Sequence, residues 1–383
     1  MLVKWLSRIE KVYVARTVEE LQAIYRFRYT IYVEELKRQI GGVDHKRRMV
    51  HDEEDEKEGA VHLYAGTVDE IIGTLRIRIW EPGTIPDYDF KTFSLELFPG
   101  IEKMRVAELG RVMISRTIRG RLVLLSMMQE AYHLLAGKKK VDLTFLYCRP
   151  GLVRYYRKFG ARPYSGRLVD APEGMEIPMV VVLSDHRYFN KIGSPVAPLV
   201  KKYFGPGKRK PLDLSHFKKI FDNELLPVET DPQLIWDRLQ HDFIQEQEKP
   251  KAASFVDSLS KRTLKKLSDY GFIMDIPTGT LVTREGHVEK EMYIILEGTF
   301  EVFTAKRVFA ILEKGDLFGE VAFFRESGKR SASVRALTDG KLLVLRRNLM
   351  KELSKSDPKT AYTILFNLGR ILSERLASTI TRV

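Results

Sequence analysis

A stretch rich in glycine, proline and lysine interrupts the chain at residues 201–211, which read KKYFGPGKRKP. Glycine and proline at this density break the periodic patterns of helices and strands, so one continuous core cannot run through the stretch. A chain of 383 residues also exceeds the usual length of a single domain. We predict an N-terminal domain at residues 1–200, a helical connector at 201–252 and a C-terminal domain at 253–383.

The N-terminal part alternates the patterns of helices and strands. A capping-box sequence, Thr17–Glu20, begins a helix whose apolar face continues to Leu36. Apolar periodicity and glycine breaks predict the other elements, which are strands at 61–65, 71–80, 106–114, 141–147 and 178–183 and helices at 122–135 and 151–159. This order of elements predicts an α/β fold for the domain.

Three arginines interrupt the apolar patterns of this part. Arg28 lies on the apolar face of the first helix, and alternation along strand 71–80 places Arg76 and Arg78 on the face opposite Leu75. A buried guanidinium is costly unless an anion pairs with it, so we expect carboxylates or a ligand nearby. A purely structural salt bridge is the alternative explanation.

A basic turn precedes the helix predicted at 122–135. It contains Arg116, Arg119, Gly120 and Arg121. Free backbone amides at a helix N-terminus, with arginine side chains beside them, bind anions such as phosphate. A solvated surface loop is the alternative for such a turn.

The C-terminal part has a different pattern, in which short apolar runs at 280–283, 292–298, 299–303 and 308–312 are separated by glycines. Short strands at this spacing predict a small antiparallel barrel or jelly roll. Helical patterns at about 257–270 and 347–377 flank it. The whole chain is therefore predicted to be a two-domain α+β protein.

The segment Gly315–Phe324, followed by Arg330–Val334, resembles the phosphate-binding cassette of cyclic nucleotide-binding domains. The resemblance spans about residues 253–378. It implies cyclic AMP or cyclic GMP as a regulatory ligand, with Arg330 and Ser331 on the cyclic phosphate and Glu320 on the ribose hydroxyl. The ligand-binding residues implied are Phe318, Gly319, Glu320, Val321, Ala322, Arg330, Ser331 and Ala332. A barrel that has lost its ligand is the alternative.

The N-terminal part resembles the Gcn5-related N-acetyltransferase (GNAT) superfamily in its strand, basic turn, helix and strand at 106–147, followed by LVRYYRKFG at 152–160. Four ordered elements make it similar to acyl-homoserine-lactone (autoinducer) synthases and N-acyl amino acid synthases within that superfamily. They contain Arg28, Asp52 with Asp55, Arg76, and Glu108 with Arg111. The resemblance covers about residues 10–190. Leu122 and Leu124 count against acetyl-CoA as donor, and the four elements favour a fatty-acyl donor.

This resemblance implies an acyl donor held at Val112, Arg116, Arg119, Gly120 and Arg121. Amide formation from a thioester needs a deprotonated amine and donors for the oxyanion. Glu108 would accept the proton of the amine or anchor its ammonium, and backbone amides near Val112 would face the thioester oxygen. Arg28, Arg76 and Arg111 would hold Asp52, Asp55 and Glu108 or bind a carboxylate of the acceptor. A structural ion-pair network is the alternative.

Composition limits the partners. The net charge of +13 suits acidic partners, which include acyl carrier protein, and an acyl-carrier-protein or acyl-CoA thioester is the expected donor. The single cysteine, Cys148, and the lack of an 18-residue apolar run predict a cytoplasmic protein without membrane spans. No helix-turn-helix pattern follows the barrel, so DNA binding is not expected, and histidine spacing suggests no metal. Oligomeric state stays open.

The combined prediction is an N-acyltransferase regulated by a cyclic nucleotide. It would move an acyl group from a thioester to a small-molecule amine, as N-acyl amino acid synthases do. Two alternatives remain: a cyclic-nucleotide-regulated protein lysine acetyltransferase that uses acetyl-CoA, and a sensor without catalytic activity. Chain length, acceptor, carrier and the sign of regulation stay open.

Overall fold

The computed structural model describes residues 11–36, 40–115, 118–165, 168–171, 174–222, 228–229, 231–241, 259–289, 291–346 and 348–380. The chain divides into two compact units. Most of the described residues up to 222 belong to the first, and most of those from 228 onward belong to the second.

The first unit combines helices with one large sheet. The strands of the described ranges up to residue 182 are β1 (Val12–Val14), β2 (Val43–Asp44), β3 (Met49–Val50), β4 (Ala60–Gly66), β5 (Ile71–Trp80), β6 (Val106–Ile114), β7 (Leu143–Cys148), β8 (Ala161–Pro163), β9 (Val169–Ala171) and β10 (Gly174–Val182). Its helices are α1 (Val18–Tyr29), α2 (Asp87–Thr92), α3 (Ile118–Tyr132), α4 (Val153–Lys158), α5 (His186–Lys191), α6 (Ala197–Phe204) and α7 (Lys218–Asp222).

The predicted capping box begins α1. The Thr17 side chain accepts a hydrogen bond from the backbone of Glu20, and the Glu20 carboxylate accepts one from the backbone of Thr17 at 2.9 Å. The helix continues as a π-helical turn, Thr30–Glu35. A second π-helical turn, His133–Lys138, extends α3.

The large sheet has the strand order β1-β4-β5-β6-β7-β10-β8, and β9 pairs with β10. Every neighbouring pair is antiparallel except β6 and β7, which are parallel. Those two strands pair over only three residues, from Val106 with Leu143 to Glu108 with Phe145. Beyond Glu108 they separate, and this leaves a wedge in the sheet.

One face of the sheet packs on α3. Leu75, Ile77 and Ala107 lie in one apolar cluster with Val123 and Met127 of that helix. Alternation along β5 turns its arginines to the opposite face, as the sequence predicts. A second cluster on the chain is aromatic and contains Phe93, Phe98, Phe145, Tyr164 and Phe217.

The second unit is an antiparallel β structure with helices around it. Its strands are β11 (Val228–Glu229), β12 (Gly271–Ile276), β13 (Leu281–Thr283), β14 (Glu291–Glu297), β15 (Phe300–Phe303), β16 (Val308–Leu312), β17 (Leu317–Phe318), β18 (Ser333–Ala336) and β19 (Gly340–Arg346). Its helices are α8 (Pro232–Gln240), α9 (Lys261–Tyr270), α10 (Glu320–Phe324), α11 (Asn348–Ser356) and α12 (Pro358–Ile380).

Two sheets form this barrel-like unit, with the strand orders β11-β12-β19-β14-β17 and β13-β18-β15-β16. Apolar faces of α8, α9, α11 and α12 pack on the first sheet, through residues such as Leu239, Leu267, Leu353 and Ile364. The prediction of a small antiparallel barrel with flanking helices is confirmed for this unit.

Two local predictions need correction. The helical pattern predicted at about 347–377 forms two helices, because Pro358 cannot continue α11 and instead begins α12. The region predicted as a helical connector also contains β11, which pairs with β12. Of the helices within the described ranges, none has the length and apolar character that a membrane crossing needs.

Candidate functional site

A network of buried charges lies on the face of β5 opposite α3. Arg28, from α1, is fully buried and donates from Nη1 to the Asp55 carboxylate at 2.8 Å. Its Nη2 lies 3.1 Å from Nδ1 of His62. The carboxylate that the sequence requires for Arg28 is therefore Asp55.

His62 is part of this network although the sequence analysis does not single it out. Its Nε2 lies 3.0 Å from the backbone oxygen of Asp55, so Nε2 donates and Nδ1 accepts from Arg28. Burial lowers the pKa of His62, and the nearby Arg28 adds to this. The imidazole is therefore a neutral spacer between the backbone and the guanidinium.

The sequence Asp52-Glu-Glu-Asp55 is not a solvated acidic loop. It forms a short 3-10 turn in which the Asp55 carboxylate accepts from the backbone of Asp52 at 2.9 Å. Burial acts to raise the pKa of Asp55, but Arg28 and Arg76 outweigh it and hold this pKa at about 2. Asp55 is therefore an ionised, buried carboxylate.

Arg76 joins the three carboxylates predicted for the site. It donates to Asp52 at 2.8 Å and to Asp55 at 3.1 Å, and it lies 3.8 Å from Oε2 of Glu108. Arg111 pairs with the other oxygen of Asp52 and lies over the ring of Tyr32. All six residues predicted as catalytic thus belong to one connected network.

Glu108 has a closer partner that the sequence analysis missed. Arg78 donates from Nε to Oε2 of Glu108 and from Nη2 to Asp89 at 2.6 Å. Burial lowers the pKa of Arg78, but Glu108 and Asp89 outweigh it and raise this pKa overall. The alternation of β5 places Arg78 on the same face as Arg76, and this pattern is the sequence feature that could have identified Arg78 as a member of the network.

The network has four arginines, at 28, 76, 78 and 111, and five carboxylates, at 52, 54, 55, 89 and 108. Glu54 also pairs with Lys57, so with His62 neutral the positive and negative charges of these described residues balance. The arginines are paired internally, so they are not positioned to receive a carboxylate of an acceptor.

A β-bulge interrupts β6 beside this network. Thr74 of β5 pairs with Met113 and Arg76 pairs with Gly110, so Leu75 alone faces Arg111 and Val112. Arg111 has a φ of +52°, a conformation that costs about 1–2 kcal/mol for a residue with a side chain. The bulge takes Val112 out of the regular ladder at the point where β6 and β7 separate.

Gly110 is required by this geometry. A Cβ at residue 110 would lie 2.8 Å from Oε1 of Glu108 and 4.0 Å from Arg76. Any side chain there would therefore displace the Glu108 carboxylate.

Part of the predicted donor site lies outside the described side chains. Arg116 lies outside the described residues, and for Arg119, Gly120 and Arg121 the structure describes only the backbone of the first turn of α3. Within the described ranges, no three His, Cys, Asp or Glu side chains gather as metal ligands would.

The second unit contains a cavity of about 370 Å³ in the barrel. All eight residues predicted for nucleotide binding line it. The other lining residues are Thr283, Val302, Phe309, Ala310, Leu312, Val334 and Arg375. This volume lies in the usual range of small-molecule sites.

Arg330 forms one wall of the cavity and is only 4% exposed. Its Nε and Nη2 lie 3.0 and 2.9 Å from the same oxygen of Glu289, and Nη1 donates to the backbone of Glu291 at 2.8 Å. Burial lowers the pKa of Arg330, but Glu289 outweighs it and raises this pKa overall. Glu289, which the sequence analysis missed, fixes the guanidinium in the wall.

Gly319 lies against Arg330. Its φ is +83°, and a Cβ at residue 319 would lie 2.5 Å from Nη1 of Arg330. Only glycine adopts this positive φ without strain and also leaves room for the Arg330 guanidinium.

Glu320 is buried and has a partner on α12. Arg375 donates from Nη1 to Oε1 of Glu320 at 2.7 Å and from Nη2 to the backbone of Leu317 at 2.7 Å. Among the described residues of α12, the one that lines the cavity is Arg375.

Comparisons with known proteins agree with this division. Residues 23–185 match the family model of the N-acyl amino acid synthase FeeM, and residues 273–357 match that of the cyclic nucleotide-binding domain. The chain therefore has an N-terminal FeeM-type N-acyl amino acid synthase domain and a C-terminal cyclic nucleotide-binding domain.

Curated relatives match the C-terminal domain. The cyclic AMP receptor protein of Thermus thermophilus is 32% identical over 105 residues, which are 26% of this chain and 46% of the relative. The regulatory subunit of cAMP-dependent protein kinase of Schizosaccharomyces pombe is 36% identical over 88 residues, 23% of this chain and 21% of the relative. The chain thus spans less than half the length of these relatives.

Two solved structures are also similar to part of this chain. The catabolite activator protein of Thermus thermophilus matches with 26% identity and a TM-score of 0.30, over 34% of this chain and 61% of that one. A cyclic nucleotide-binding domain of Methylobacillus flagellatus matches with 19% identity and a TM-score of 0.34, over 43% and 91% of the two chains.

Proposed function

We propose that the first unit is a GNAT-like N-acyltransferase that moves an acyl group from a thioester of acyl carrier protein or coenzyme A to a small-molecule amine. The observation that carries this proposal is the single network formed by the four sequence elements shared with N-acyl amino acid synthases. Residues far apart in the sequence, from Arg28 to Arg111, meet in it.

The proposed reaction forms an amide. The amine nitrogen attacks the thioester carbonyl carbon, the carbon–sulfur bond breaks, and the thiol leaves. Glu108 anchors the acceptor ammonium and takes its proton through Oε1, because its Oε2 is engaged by Arg78. The backbone amide of Val112, at the bulge, supports the developing oxyanion.

The other charged residues position Glu108 in this proposal. Arg76 connects Glu108 to Asp52 and Asp55, and Arg28 fixes Asp55 from α1. Arg111 holds Asp52 from the bulge itself. Arg116, Arg119, Gly120 and Arg121 remain the proposed site for the phosphates of the donor.

Release of free thiol from an acyl thioester, with amino acids as acceptors, tests this proposal. We expect Glu108→Gln to lower the rate at least about 100-fold, because a general base contributes at least that much. Glu70→Gln is the matched control, since Glu70 is exposed on the loop between β4 and β5. A folded Glu108→Gln protein with unchanged thiol release would refute the assigned role.

We also propose that cyclic AMP or cyclic GMP binds in the barrel cavity and regulates the transferase. Support comes from Arg330, a buried cation for the cyclic phosphate, and from Glu320, an acceptor for the ribose hydroxyl. A ligand regulates only by binding one state better, and typical couplings change the affinity for the second ligand by about 5- to 150-fold.

Calorimetric titration with each nucleotide, with and without a non-reactive acyl-donor analogue, tests the regulation. We expect binding whose affinity shifts when the donor analogue is present, since coupling is reciprocal. Nucleotide affinity that is identical in the two titrations would contradict regulation while leaving the binding site intact.

A further inference from the structure

Seven exposed lysines form a basic patch on the first unit. They lie in three chain segments, at 138–140, at 201 and 202, and at 208 and 210. The first segment is at the end of the π-helical turn that extends α3, and the second is on α6. The third follows α6 in the stretch rich in glycine and proline. We call these seven residues the lysine patch.

Packing of α6 against the π-helical turn brings the first two segments together. Nδ1 of His133 lies 2.7 Å from the Tyr203 hydroxyl, and a Cβ at residue 137 would lie 2.8 Å from the Tyr203 ring. Burial lowers the pKa of His133, and Lys202 and Lys138 add to this effect against Glu130. One lysine of each segment therefore acts on the same imidazole.

Arg209 joins the third segment to the first. Its Nη1 donates to the backbone oxygen of Val141 at 2.9 Å, and its Nη2 donates to Asp142 at 2.5 Å. Val141 directly follows the first segment in the chain. The loop that carries Lys208 and Lys210 is thus fixed beside the other two segments.

The carboxylates beside the patch are already paired with arginines. Arg209 engages Asp142, and Nε of Arg105 donates to Glu81 at 2.8 Å. Arg105 also donates from Nη1 to the backbone oxygen of Lys139 at 2.8 Å. None of the seven lysines forms an ion pair with a carboxylate in the part of the chain that the structure describes. The patch therefore presents solvated positive charge to an anionic partner.

The residue type indicates the kind of anion. The two arginines at the patch are engaged by Glu81 and Asp142, so lysines supply its accessible charge. Nucleic acids are recognised largely through the rigid fork of arginine, which binds phosphates and base edges with two hydrogen bonds. Lysine is a point charge on a flexible stem and needs no fixed pattern of acceptors. It suits a surface whose anions are mobile, such as the headgroups of an anionic lipid bilayer.

The patch is also distant from the proposed donor site. Val106 at the beginning of β6 pairs with Leu143, three residues after Lys140, whereas the basic turn at 116–121 follows Ile114 at the other end of that strand. The two ends of β6 are about 26 Å apart at the rise of a strand. A carrier protein that serves the donor site would dock at the far end, so the patch is left for another partner.

We propose that the lysine patch binds the first unit to the surface of a membrane rich in anionic lipids. The binding is peripheral and electrostatic, and clusters of about four to eight basic residues are sufficient for it. The inference goes beyond the proposed acyl transfer, and it rests on that function only where the carrier protein is set aside.

The test measures sedimentation of the full chain with vesicles. One set contains phosphatidylcholine alone, and the other contains phosphatidylcholine with phosphatidylglycerol; neither a thioester nor a nucleotide is present. The test variant combines Lys138→Gln, Lys139→Gln and Lys140→Gln. The matched control combines three exposed lysines of α11 and α12 with the same change of charge, Lys351→Gln, Lys355→Gln and Lys359→Gln. A further variant combines Lys138→Arg, Lys139→Arg and Lys140→Arg, and circular dichroism checks that each variant is folded.

We expect the wild-type chain to sediment with the anionic vesicles and not with the neutral ones. Glutamines at 138–140 should weaken this partition about 100-fold, because each lysine near an anionic surface is worth about fivefold. The control glutamines should weaken it less than about threefold, and arginines at 138–140 should preserve it. Raising the salt concentration from about 0.1 M to about 1 M should release the protein, because the Debye length falls from about 10 Å to about 3 Å.

Equal weakening by the two sets of glutamines would assign the binding to the net charge of the whole chain and overturn the inference. The same conclusion would follow if the wild type did not sediment with anionic vesicles at the lower salt concentration. Tighter binding to a DNA duplex than to the vesicles, measured by fluorescence anisotropy, would identify the patch as a nucleic-acid surface instead. Because no thioester is present, each of these results leaves the proposed acyl transfer to be judged by thiol release.

Discussion

Both units bury arginines against carboxylates, but they place them differently. In the first unit, Arg28 and Arg76 are enclosed by the protein's own charges. In the second, Glu289 and the backbone oxygens of Glu291 and Gly319 hold Arg330, and the guanidinium also lines a cavity of about 370 Å³. The same residue type thus forms a framework in one unit and, in the proposed function, a binding group in the other.

The difference teaches how to interpret a buried arginine. A guanidinium whose partners are all internal contributes mainly through the geometry of those partners. One that is fixed on one side and lines a cavity is prepared for an anion from outside. In the first unit, the proposed chemistry therefore depends on the residue that the network positions, which is Glu108 beside the bulge.

Removal of Arg28 should give the largest effect on stability. Arg28→Ala leaves Asp55 buried without its main partner, and we expect the free energy of unfolding to fall by about 3–5 kcal/mol. Arg47→Ala is the control, because Arg47 and Asp44 form an exposed pair at 3.9 Å and such pairs contribute about 1 kcal/mol or less. Chemical denaturation of both variants measures the difference. Equal losses would show that the network is not a framework.

Removal of Arg330 should instead affect binding. We expect Arg330→Ala to weaken cyclic nucleotide affinity at least about 30-fold, because truncating a buried charged partner costs at least about 2 kcal/mol. Arg335→Ala is the control, since Arg335 pairs with Glu301 at the surface and does not line the cavity. Titration calorimetry on each variant gives the affinities. If both variants bind the cyclic nucleotide as tightly as the wild type does, Arg330 has only a structural role, as Arg28 has.

The sequence predicts the secondary-structure elements better than it predicts which charged side chains pair with each other. Strand β6 has the predicted bounds, since its alternation is regular, and all eight cassette residues meet in one cavity because they are close together in the chain. The partner of Arg330 is Glu289, which lies 41 positions away and has no local pattern to mark it. Such long-range pairs follow from the fold and not from spacing.

The same limit applies to Glu108. The sequence identifies its network through the ordered elements of a known family, but it does not predict that Arg78 is the closest partner. The left-handed backbone of Arg111 also escapes prediction, because arginine has no preference for that conformation. The bulge that defines the proposed oxyanion position is thus a result of the structure.

We expect acid to lower the free energy of unfolding less than Arg28→Ala does. The pKa of Asp55 is about 2 in the folded chain, below its ordinary value of 3.8. Its ionisation therefore stabilises the fold above pH 4, and about 2 kcal/mol is lost as the pH falls from 4 to 2. Unfolding free energies measured across this range should show the loss in the wild type. The Asp55→Asn variant should be less stable than the wild type at pH 7, and its unfolding free energy should not show this loss between pH 4 and pH 2. If its unfolding free energy depends on pH as that of the wild type does, groups other than Asp55 cause the acid sensitivity.

The smallest effect concerns the link between α12 and the cavity. Arg375 is partly exposed, so its pair with Glu320 should contribute about 1 kcal/mol or less. We expect Arg375→Ala to weaken cyclic nucleotide affinity about two- to fivefold, because Glu320 then loses the contact that orients it towards the ribose. Arg370→Ala, which breaks the exposed pair with Glu374 on the same helix, should leave the affinity unchanged. An increase in nucleotide affinity for Arg375→Ala would show that Arg375 competes with the nucleotide for Glu320. The charged residues in the wall of this cavity would then be paired with each other, as those of the network in the first unit are.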